Sequence, residues 1–477
     1  MEFEPVIGLE VHAQLLTQSK IFCPCSTRFG NPPNTNTCPV CLGMPGVLPV
    51  LNRMAVELAL RVGLAVGCDI RSKSLFARKN YFYPDLPKGY QISMYDQPLC
   101  LGGSVTIETG GTRKRIGLTR IHLEEDAGKS IHQPGEDRTL VDLNRAGVPL
   151  IELVSEPDLA SPQEAHAYLT ALRTLLLYLG VCDGNMEEGS LRCDANVSVR
   201  PKGETKLGTK VELKNLNSFR FIQKALQFEI ERQSGLLRAG KPVAQESRLY
   251  DADADVTETM RGKEEAHDYR YFPEPDLLPL RVEESWLEEV RASLPELPLE
   301  RRDRLVSEYQ LPAYDADVLT TTRELADYFE VAAKASANPK AASNWVMGEV
   351  LRKLKEAKAD IAQCPVSPEA LAELIGLILS GTLSGSLAKE VFEEMWTTRQ
   401  PAPEIVRARG LTQISDEAEL LTAIDQVIAA NPGPLQQYRA GKAATFGFFM
   451  GQVMKATKGK ANPAMIQKLL TDRLKDS

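Results

Sequence analysis

The chain has 477 residues, of which 43% are hydrophobic and 25% are charged, a composition typical of a globular protein with roughly two to four domains. Its formal net charge of -8 excludes a protein that coats nucleic acid indiscriminately, although it permits local basic patches. The opening stretch MEFEPVIGLEVHAQL does not resemble a signal peptide, and no uncharged stretch is long enough to cross a bilayer, so we expect a cytoplasmic protein without a membrane partner.

The first predicted element is a strand, VIGLEVHAQL, in which polar and apolar residues alternate. Glu10 and His12 therefore share one face, while Leu9 and Val11 share the other. A lone Glu and His on a strand are usually solvated surface residues, so this pair indicates a site only if other ligands lie nearby.

Four cysteines follow in the order CxC, a turn-rich interval and CxxC: Cys23, Cys25, Cys38 and Cys41. This spacing predicts a tetrahedral structural zinc site, because four thiolates complete the coordination shell and leave no open position for catalysis. The alternative is a set of buried thiols that has lost its metal, which would leave the fold unchanged.

An unusual aromatic and basic segment, KNYFYPDLPKGYQISMY, begins at Lys79. Pro84, Pro87 and Gly89 exclude one continuous helix or central strand there. The segment is either a structural loop with buried tyrosines or a surface that stacks on rings and holds phosphates. A second set of similar composition, which ends in YRYFPEP, favours a shared ligand surface.

Acidic residues recur in the later predicted strands. RIHLEEDAG contains Glu124 and Glu125, PLIELVSEPD contains Glu152, and SLRCDANVSVR contains Asp194. Adjacent acidic residues often lie at a solvent-exposed edge of a sheet. A charged side chain among core residues, however, is energetically costly unless it is paired or bound to a metal. We therefore predict that these carboxylates lie with those of the first strand on one side of a sheet, where oxygen ligands select magnesium.

Helices are predicted over residues 52–67, from a capping box at Ser161 to Gly180, and from Ser218 to Gly235. From about residue 294 the pattern is almost continuously helical, and two prolines near residue 402 predict a hinge before a last helical unit. That unit has four lysines near glycines: Lys442, Lys455, Lys458 and Lys460. These lysines either bind phosphates or lie in solvent at helix ends.

The chain resembles, nearly end to end, the B subunits of tRNA-dependent amidotransferases, the GatB family of the GatCAB complex. The motifs that carry this resemblance are GLEVHAQL, CPCS, CPVCLG, ARKNYFYPDLPKGYQIS, HLEEDAGK, DLNRAGVPLIELVSEPD, GSLRCDANVS, KNLNSF, EAHDYRYFPEPDL and MKATKGKANP. It implies an α+β protein with three domains. These are a cradle domain around an antiparallel sheet with flanking helices (1–294), a helical domain (295–405) and an all-α tail of the YqeY type that contacts tRNA (406–477).

The resemblance also implies the reaction. ATP phosphorylates the side-chain carboxylate of Glu-tRNA(Gln), Asp-tRNA(Asn) or both, and ammonia channelled from a glutaminase A subunit displaces the phosphate. The expected assembly is a heterotrimer with A and C subunits, because this chain has no recognisable nucleophile motif of a glutaminase. The rival hypothesis is a zinc-stapled tRNA-binding adaptor without chemistry of its own.

The expected site residues fall into four groups. Magnesium binding and catalysis are assigned to Glu10, His12, Glu124, Glu125, Glu152 and Asp194. The aminoacylated end or ATP is assigned to Lys79, Tyr81, Tyr83, Lys88, Tyr90 and Arg270. Structural zinc is assigned to Cys23, Cys25, Cys38 and Cys41, and tRNA contact to Lys442, Lys455, Lys458 and Lys460.

Overall fold

The computed structural model describes residues 2–132, 137–260, 269–411, 417–442, 445–457, 461 and 463–476. The chain divides into two compact units, Met1–Leu297 and Pro298–Ser477. Among the described residues, no helix has both the length and the apolar character needed to span a bilayer.

All the strands of the described residues lie in the first unit. They are β1 Phe3–Gln14, β2 Asp69–Ile70, β3 Lys73–Ser74, β4 Ala77–Asn80, β5 Tyr90–Ser93, β6 Cys100–Leu101, β7 Ser104–Thr109, β8 Thr112–Glu125, β9 Lys129–His132, β10 Thr139–Asp142, β11 Pro149–Ser155, β12 Leu191–Pro201, β13 Val211–Lys214, β14 Glu246–Asp251, β15 Val256–Thr259, β16 Phe272–Pro273 and β17 Leu280–Arg281. Its helices are α1 Arg53–Ala65, α2 Pro162–Tyr178, α3 Phe219–Arg238 and α4 Glu284–Ala292.

The main sheet has the strand order β15-β14-β13-β12-β1-β11-β8-β6-β2, and β7 also pairs with β8. Its pairs are antiparallel, as predicted, with the exception of β13 and β14, which run parallel. The physical reason is the connection between them: α3 carries the chain back along the sheet, and a helical crossover returns it in the same direction. The sheet is therefore mixed and not purely antiparallel.

The apolar face of the main sheet packs against helices and forms the core of the first unit. Leu9 and Val11 of β1 are fully buried there together with Leu60 of α1, Leu172 of α2 and Leu226 of α3. Because side chains alternate along a strand, this burial fixes the opposite face of β1 as the polar one. Packing of the core thus orients Glu10 and His12.

The helix starts agree with their predicted caps. The hydroxyl of Ser161 accepts a hydrogen bond from the Glu164 N–H (3.1 Å), and that of Ser218 accepts one from the Phe221 N–H (3.1 Å). The predicted end of α3 at Gly235 is wrong, because the helix continues to Arg238. A glycine inside a helix weakens it without ending it, and tertiary packing decides the outcome.

The second unit is helical. Its helices are α5 Pro298–Glu308, α6 Ala313–Leu319, α7 Arg323–Ser336, α8 Pro339–Trp345, α9 Leu351–Ala357, α10 Pro368–Leu379, α11 Gly385–Thr398, α12 Ala402–Arg409, α13 Glu417–Ala430, α14 Pro432–Arg439, α15 Thr445–Ala456 and α16 Pro463–Asp476. A π-helical turn, Val346–Val350, joins α8 to α9, and a short 3-10 helix covers Ile361–Gln363.

Two separate hydrophobic cores lie within this second unit. The first extends from Leu305 to Leu411, and the second extends from Leu420 to Leu474. The predicted hinge at Pro401 and Pro403 is wrong: the two prolines lie at the start of α12, where proline is well tolerated, and α12 packs in the first core.

Candidate active site

The strand register brings polar residues of four strands into one row on the polar face of the main sheet. His12 of β1 lies opposite Arg192 of β12 and Glu152 of β11, and Glu152 lies opposite His122 of β8. Residues that face each other in neighbouring antiparallel strands point to the same side of the sheet. The row is therefore a direct consequence of the pairing of these strands.

Carboxylates flank this row on both sides. Glu10 lies two residues before His12, and Glu124 lies two residues after His122. His12 Nε2 lies 3.3 Å from Glu152 Oε2 and 3.7 Å from Glu124 Oε1. His122 Nε2 lies 3.6 Å from Glu124 Oε2 and 3.7 Å from Glu152 Oε2. Glu152 thus lies at the centre of the group.

The ligand atoms form two groups of a size that could hold a metal ion. One consists of Glu10, His12 and Glu152, and the other consists of His122, Glu124 and Glu152; within each, the ligand atoms lie within 4.8 Å of one another. The two groups share Glu152. We call these five residues the carboxylate–imidazole cluster.

Burial and mutual charge shift the pKa values in this cluster in opposite directions. Burial and the charge of Glu152 raise the pKa of Glu10 to about 7, although the charge of His12 opposes this. Burial also opposes ionisation of Glu124 and Glu152, but the two histidines outweigh it and lower both pKa values. Glu10 is therefore the carboxylate of the cluster whose negative charge the neighbouring cations do not fully compensate.

His12 is a strongly perturbed base of the cluster. Burial disfavours its charged ring, but the hydrogen bond to Glu152 and the charges of Glu124 and Glu152 outweigh burial and raise the pKa of His12 to about 9. The ring is consequently an imidazolium at neutral pH in the metal-free protein.

This protonation can be measured. In the metal-free chain, we expect a histidine NMR signal that titrates near pH 9 and is absent from a His12→Gln variant. Because the pKa rises from 6.5 on folding, its stabilising contribution is full below pH 6.5 and is lost as the pH rises through about 9. A midpoint below 7 for this signal would contradict the assignment.

Two of the expected metal ligands, Glu125 and Asp194, are not members of the carboxylate–imidazole cluster. Glu125 follows Glu124 directly, so strand alternation turns it to the other face, where its carboxylate accepts hydrogen bonds from the Ile92 N–H (2.8 Å) and from Lys88. Asp194 faces Glu10 across the strand pair. Among the described residues, neither belongs to a group of metal-binding size.

Several residues of this face were not assigned to the site from the sequence. His122 alternates with Glu124 in the same strand, a period-two signal that is visible in RIHLEE. Asp126 is buried and accepts two hydrogen bonds from Arg192, both 2.9 Å long. This pair joins the end of β8 to β12, a contact between distant segments that a single sequence does not reveal.

A large cavity of about 500 Å³ adjoins the polar face. Gln14, Arg192 and Asp194 line it from the sheet, and Lys129 and Asn217 line it from other segments. Cationic and amide groups therefore face a space of the size that small-molecule ligands occupy.

The two aromatic and basic segments meet in a small sheet with the order β16-β4-β5. The Asn80 N–H donates to the Tyr269 carbonyl (3.0 Å), the rings of Tyr81 and Tyr269 meet edge to face at 6.0 Å, and those of Tyr95 and Tyr271 stack at 4.1 Å. We call Lys79 and these four tyrosines the aromatic wall.

One hydrogen bond from β5 and the charge interactions of Lys79 connect this region to the carboxylate–imidazole cluster. The Ser93 hydroxyl of β5 donates to Glu124 (3.1 Å). Burial disfavours the charge of Lys79, but the charges of Glu124 and Glu152 outweigh it and raise its pKa, so Lys79 remains a cation. Its Nζ lies 4.9 Å from the centre of the Tyr269 ring.

The other residues expected to bind substrate lie around this wall. Tyr83 is largely exposed, and Arg270 has a positive φ of 44° between the two wall tyrosines of its segment. Tyr90 lies beneath the guanidinium of Arg78 (4.2 Å), and Arg78 pairs with the buried Glu274 at 2.7 and 2.8 Å. This ion pair fixes β16 against β4.

The four cysteines of the predicted zinc site come together as one group: Cys23, Cys25, Cys38 and Cys41 have all four sulfur atoms within 4.8 Å of one another. A hydrogen bond from Cys23 lowers the pKa of Cys41 to about 4 against the effect of burial, and the Cys38 N–H and Lys20 assist. The group could hold a structural metal ion.

The loop that carries these cysteines touches Lys88. Gly43 has a φ of +68°, and a Cβ atom built there would lie 2.5 Å from Lys88 Cγ and 3.1 Å from Lys88 Cα. Only glycine fits both the backbone conformation and the space.

The lysines of the last helical segment are only partly described. Lys455 lies in the last turn of α15, and Lys442 donates to the Gln437 side chain (3.2 Å). Lys458 and Lys460 lie outside the described residues.

Comparison with known proteins gives matches over both units. A family model described as the GatB/GatE catalytic domain matches residues 5–288, and one described as the GatB domain matches residues 327–474. The chain is 57% identical over 477 residues to the B subunit of the aspartyl/glutamyl-tRNA(Asn/Gln) amidotransferase of Geotalea uraniireducens, with 99% of this chain and 100% of the relative covered.

Proteins of the same name in two further organisms are equally similar. The identity is 58% over 478 residues with that of Geobacter sulfurreducens and 56% over 476 residues with that of Thermodesulfovibrio yellowstonii, and 100% of each chain is covered in both cases. The similarity therefore extends over the full length of these relatives.

Proposed function

The chain belongs to the GatB family of tRNA-dependent amidotransferase subunits, and we propose that it activates and amidates the side chain of a glutamyl or aspartyl group carried on tRNA. It is accordingly a subunit of a carbon–nitrogen ligase that uses ATP and takes its amide nitrogen from glutamine. Its substrates are Glu-tRNA(Gln), Asp-tRNA(Asn) or both.

One observation carries this proposal: the carboxylate–imidazole cluster lies beside the cationic and aromatic wall. Glu152 makes contacts with both histidines, and Lys79 is held charged by Glu124 and Glu152. The cluster supplies negative charge for a cation, and the wall supplies a positive charge and ring faces for a nucleotide end.

The chemistry explains why both are needed. A carboxylate reacts with ammonia only after one of its oxygens becomes part of a good leaving group. Transfer of the γ-phosphoryl group of ATP to the side-chain carboxylate releases ADP and gives an acyl phosphate. Ammonia then forms the carbon–nitrogen bond, the carbon–oxygen bond breaks, and phosphate leaves. Such transfers depend on positioning and charge neutralisation.

The donor set fits magnesium. Glu10, Glu124 and Glu152 offer carboxylate oxygens, and His12 and His122 each offer one imidazole nitrogen, so oxygen ligands are in the majority. The raised pKa of Glu10 supports this fit, since a divalent cation would supply the charge that this buried carboxylate lacks. When bound, magnesium would supply positive charge against the phosphates of ATP. Asp194 is a further ligand candidate beside Glu10.

The aromatic wall would hold the aminoacylated end or ATP. Lys79 would attract a phosphate, while Tyr81 and the other three wall tyrosines would offer ring faces. Lys88, Tyr83, Tyr90 and Arg270 border the same region, and the pairing of Lys88 with Glu125 would position that lysine.

Partners complete the reaction. The A subunit would hydrolyse glutamine and supply ammonia through a channel, and the C subunit would complete the heterotrimer. Zinc at the four cysteines would fix the loop between β1 and α1. The aminoacyl-tRNA would contact the last helical segment, which we place after Leu411, where the first core of the second unit ends.

The test is reconstitution with the A and C subunits on each mischarged tRNA, with an ammonium salt in place of glutamine. We expect ATP-dependent amide formation even when the glutaminase of the A subunit is inactivated. Retained tRNA binding without ATP turnover would instead support the zinc-stapled adaptor.

Removal of the last segment tests its part in tRNA binding. Truncation after Leu411 leaves the first core of the second unit complete and removes the second. We expect the KM for aminoacyl-tRNA to rise roughly tenfold while kcat changes less than about twofold, because phosphate contacts contribute to binding and not to chemistry.

Point variants refine this result. Lys442→Ala combined with Lys455→Ala should raise the KM for aminoacyl-tRNA in the same direction, whereas Lys355→Ala, an exposed lysine of α9, should leave it unchanged. An unchanged KM after the truncation would refute the proposed contact.

A further inference from the structure

Lys20 is the only fully buried lysine in the described part of the chain, with 1% of its surface exposed. It follows β1 and belongs to the loop of the four cysteines, since its backbone N–H donates to the Cys25 carbonyl (2.9 Å). Its aliphatic chain packs against Gly147: a Cβ atom built on this glycine would lie 3.5 Å from Lys20 Cδ. The ammonium group therefore lies in the interior of the protein.

The buried ammonium points at the sulfur of a candidate metal ligand. Lys20 Nζ lies 3.7 Å from Cys41 Sγ and 3.3 Å from the Leu143 carbonyl oxygen. Within the described ranges, no carboxylate forms an ion pair with it. A buried charge needs an anionic partner, and the thiolate of Cys41 is the group in place to be that partner.

The metal site in turn needs positive charge. Four thiolates around a divalent cation leave an excess of negative charge in a partly buried loop. Donors to the sulfur atoms reduce this excess, and besides Lys20 the Cys38 N–H donates to Cys41 Sγ (3.2 Å). Lys20 supplies a full charge where the peptide group supplies only a dipole.

We propose that Lys20 is the counter-cation of the four-cysteine site: its ammonium donates to the Cys41 thiolate and strengthens the retention of a divalent, thiolate-preferring ion of the zinc type. Lys20 is a positioning residue for the metal site. Its role is independent of the amidation reaction, so failure of one proposal does not affect the other.

The test compares Lys20→Met, Lys20→Arg and Lys73→Met in the full-length chain; Lys73 is an exposed lysine of β3 and serves as the matched control. Zinc affinity is measured by competition with a chromophoric chelator. We expect Lys20→Met to bind zinc about 10- to 100-fold more weakly, Lys20→Arg to recover most of the loss, and Lys73→Met to match the wild type.

A spectroscopic readout separates this role from simple packing. In the cobalt(II)-loaded chain, loss of the ammonium should move the sulfur-to-cobalt charge-transfer band of Lys20→Met to lower energy, because the thiolate becomes a better electron donor. Lys20→Arg should restore the band. An affinity within twofold of the wild type, or an unmoved band in Lys20→Met, overturns the proposal.

A measurement on the wild type covers the case in which Lys20→Met does not fold. Lysine-directed labelling with mass spectrometry compares the zinc-loaded and the chelator-treated chain. We expect zinc removal to increase modification of Lys20 at least about tenfold relative to Lys73, because the ammonium loses its anionic partner. Equal protection of Lys20 in both states overturns the proposal.

Discussion

Replacement of Glu152 by glutamine should lower tRNA-dependent ATP turnover by at least about 10³-fold, equivalent to about 4 kcal/mol in activation free energy. Glu152 belongs to both metal-sized groups and faces both histidines, so its charge serves every member of the cluster. Glutamine keeps the size of the side chain and removes only the charge. The measurement is ADP release by the reconstituted complex on mischarged tRNA.

The matched control is Glu258→Gln, which makes the same change on an exposed strand residue of β15. This control should retain wild-type turnover, and both variants should retain tRNA binding. A Glu152→Gln complex that turns over ATP within tenfold of the wild-type rate would show that the cluster is not the catalytic centre.

The second large effect is expected at the cysteine site. Cys41→Ser should abolish stoichiometric zinc binding and lower the Tm by roughly 10 °C, corresponding to about 3–5 kcal/mol, because the binding free energy of a structural metal contributes directly to folding. Zinc content and thermal unfolding of the purified chain measure the two effects.

Cys364→Ser provides the comparison. Cys364 lies in the second unit and donates to the Val366 carbonyl (3.2 Å), a hydrogen bond that a serine hydroxyl can also make. This variant should change neither the zinc content nor the Tm by more than a small amount. A wild-type chain that binds no zinc, or a Cys41→Ser chain with an unchanged Tm, would refute the structural role of the four-cysteine site.

The sequence predicted the faces of the strands better than their partners. Alternation in β1 was enough to place Glu10 and His12 on one polar face, and the structure has them there. The same alternation in RIHLEE separates Glu124 from Glu125 and adds His122, but the density of acidic residues obscures this period. The local pattern thus predicts which residues of β1 and of β8 share a face. The pairing of β8 with β11 is needed to bring the polar residues of the two strands together.

Other features depend on contacts between distant segments. The ion pair of Asp126 with Arg192 and the meeting of Tyr81 with Tyr269 join residues far apart in the chain, and no local pattern encodes them. The start of α12, just after Pro401, illustrates the opposite case. A proline there fits a hinge and a helix start equally well, and the packing of α12 in the first core of the second unit decides between them.

The contact between Gly43 and Lys88 joins the cysteine loop to the Lys88–Glu125 pair, so we expect the two to be thermodynamically linked. Any rearrangement that loosens the loop gives Lys88 new freedom, because the loop backbone is the surface on which its side chain rests. Linkage is reciprocal, so we expect a ligand that binds Lys88 only in its ordered position to strengthen the binding of a metal ion at the four cysteines as well. Substrate binding would then be detected as a higher affinity for the ion in competition with a chelator, at a site far from any bond that reacts.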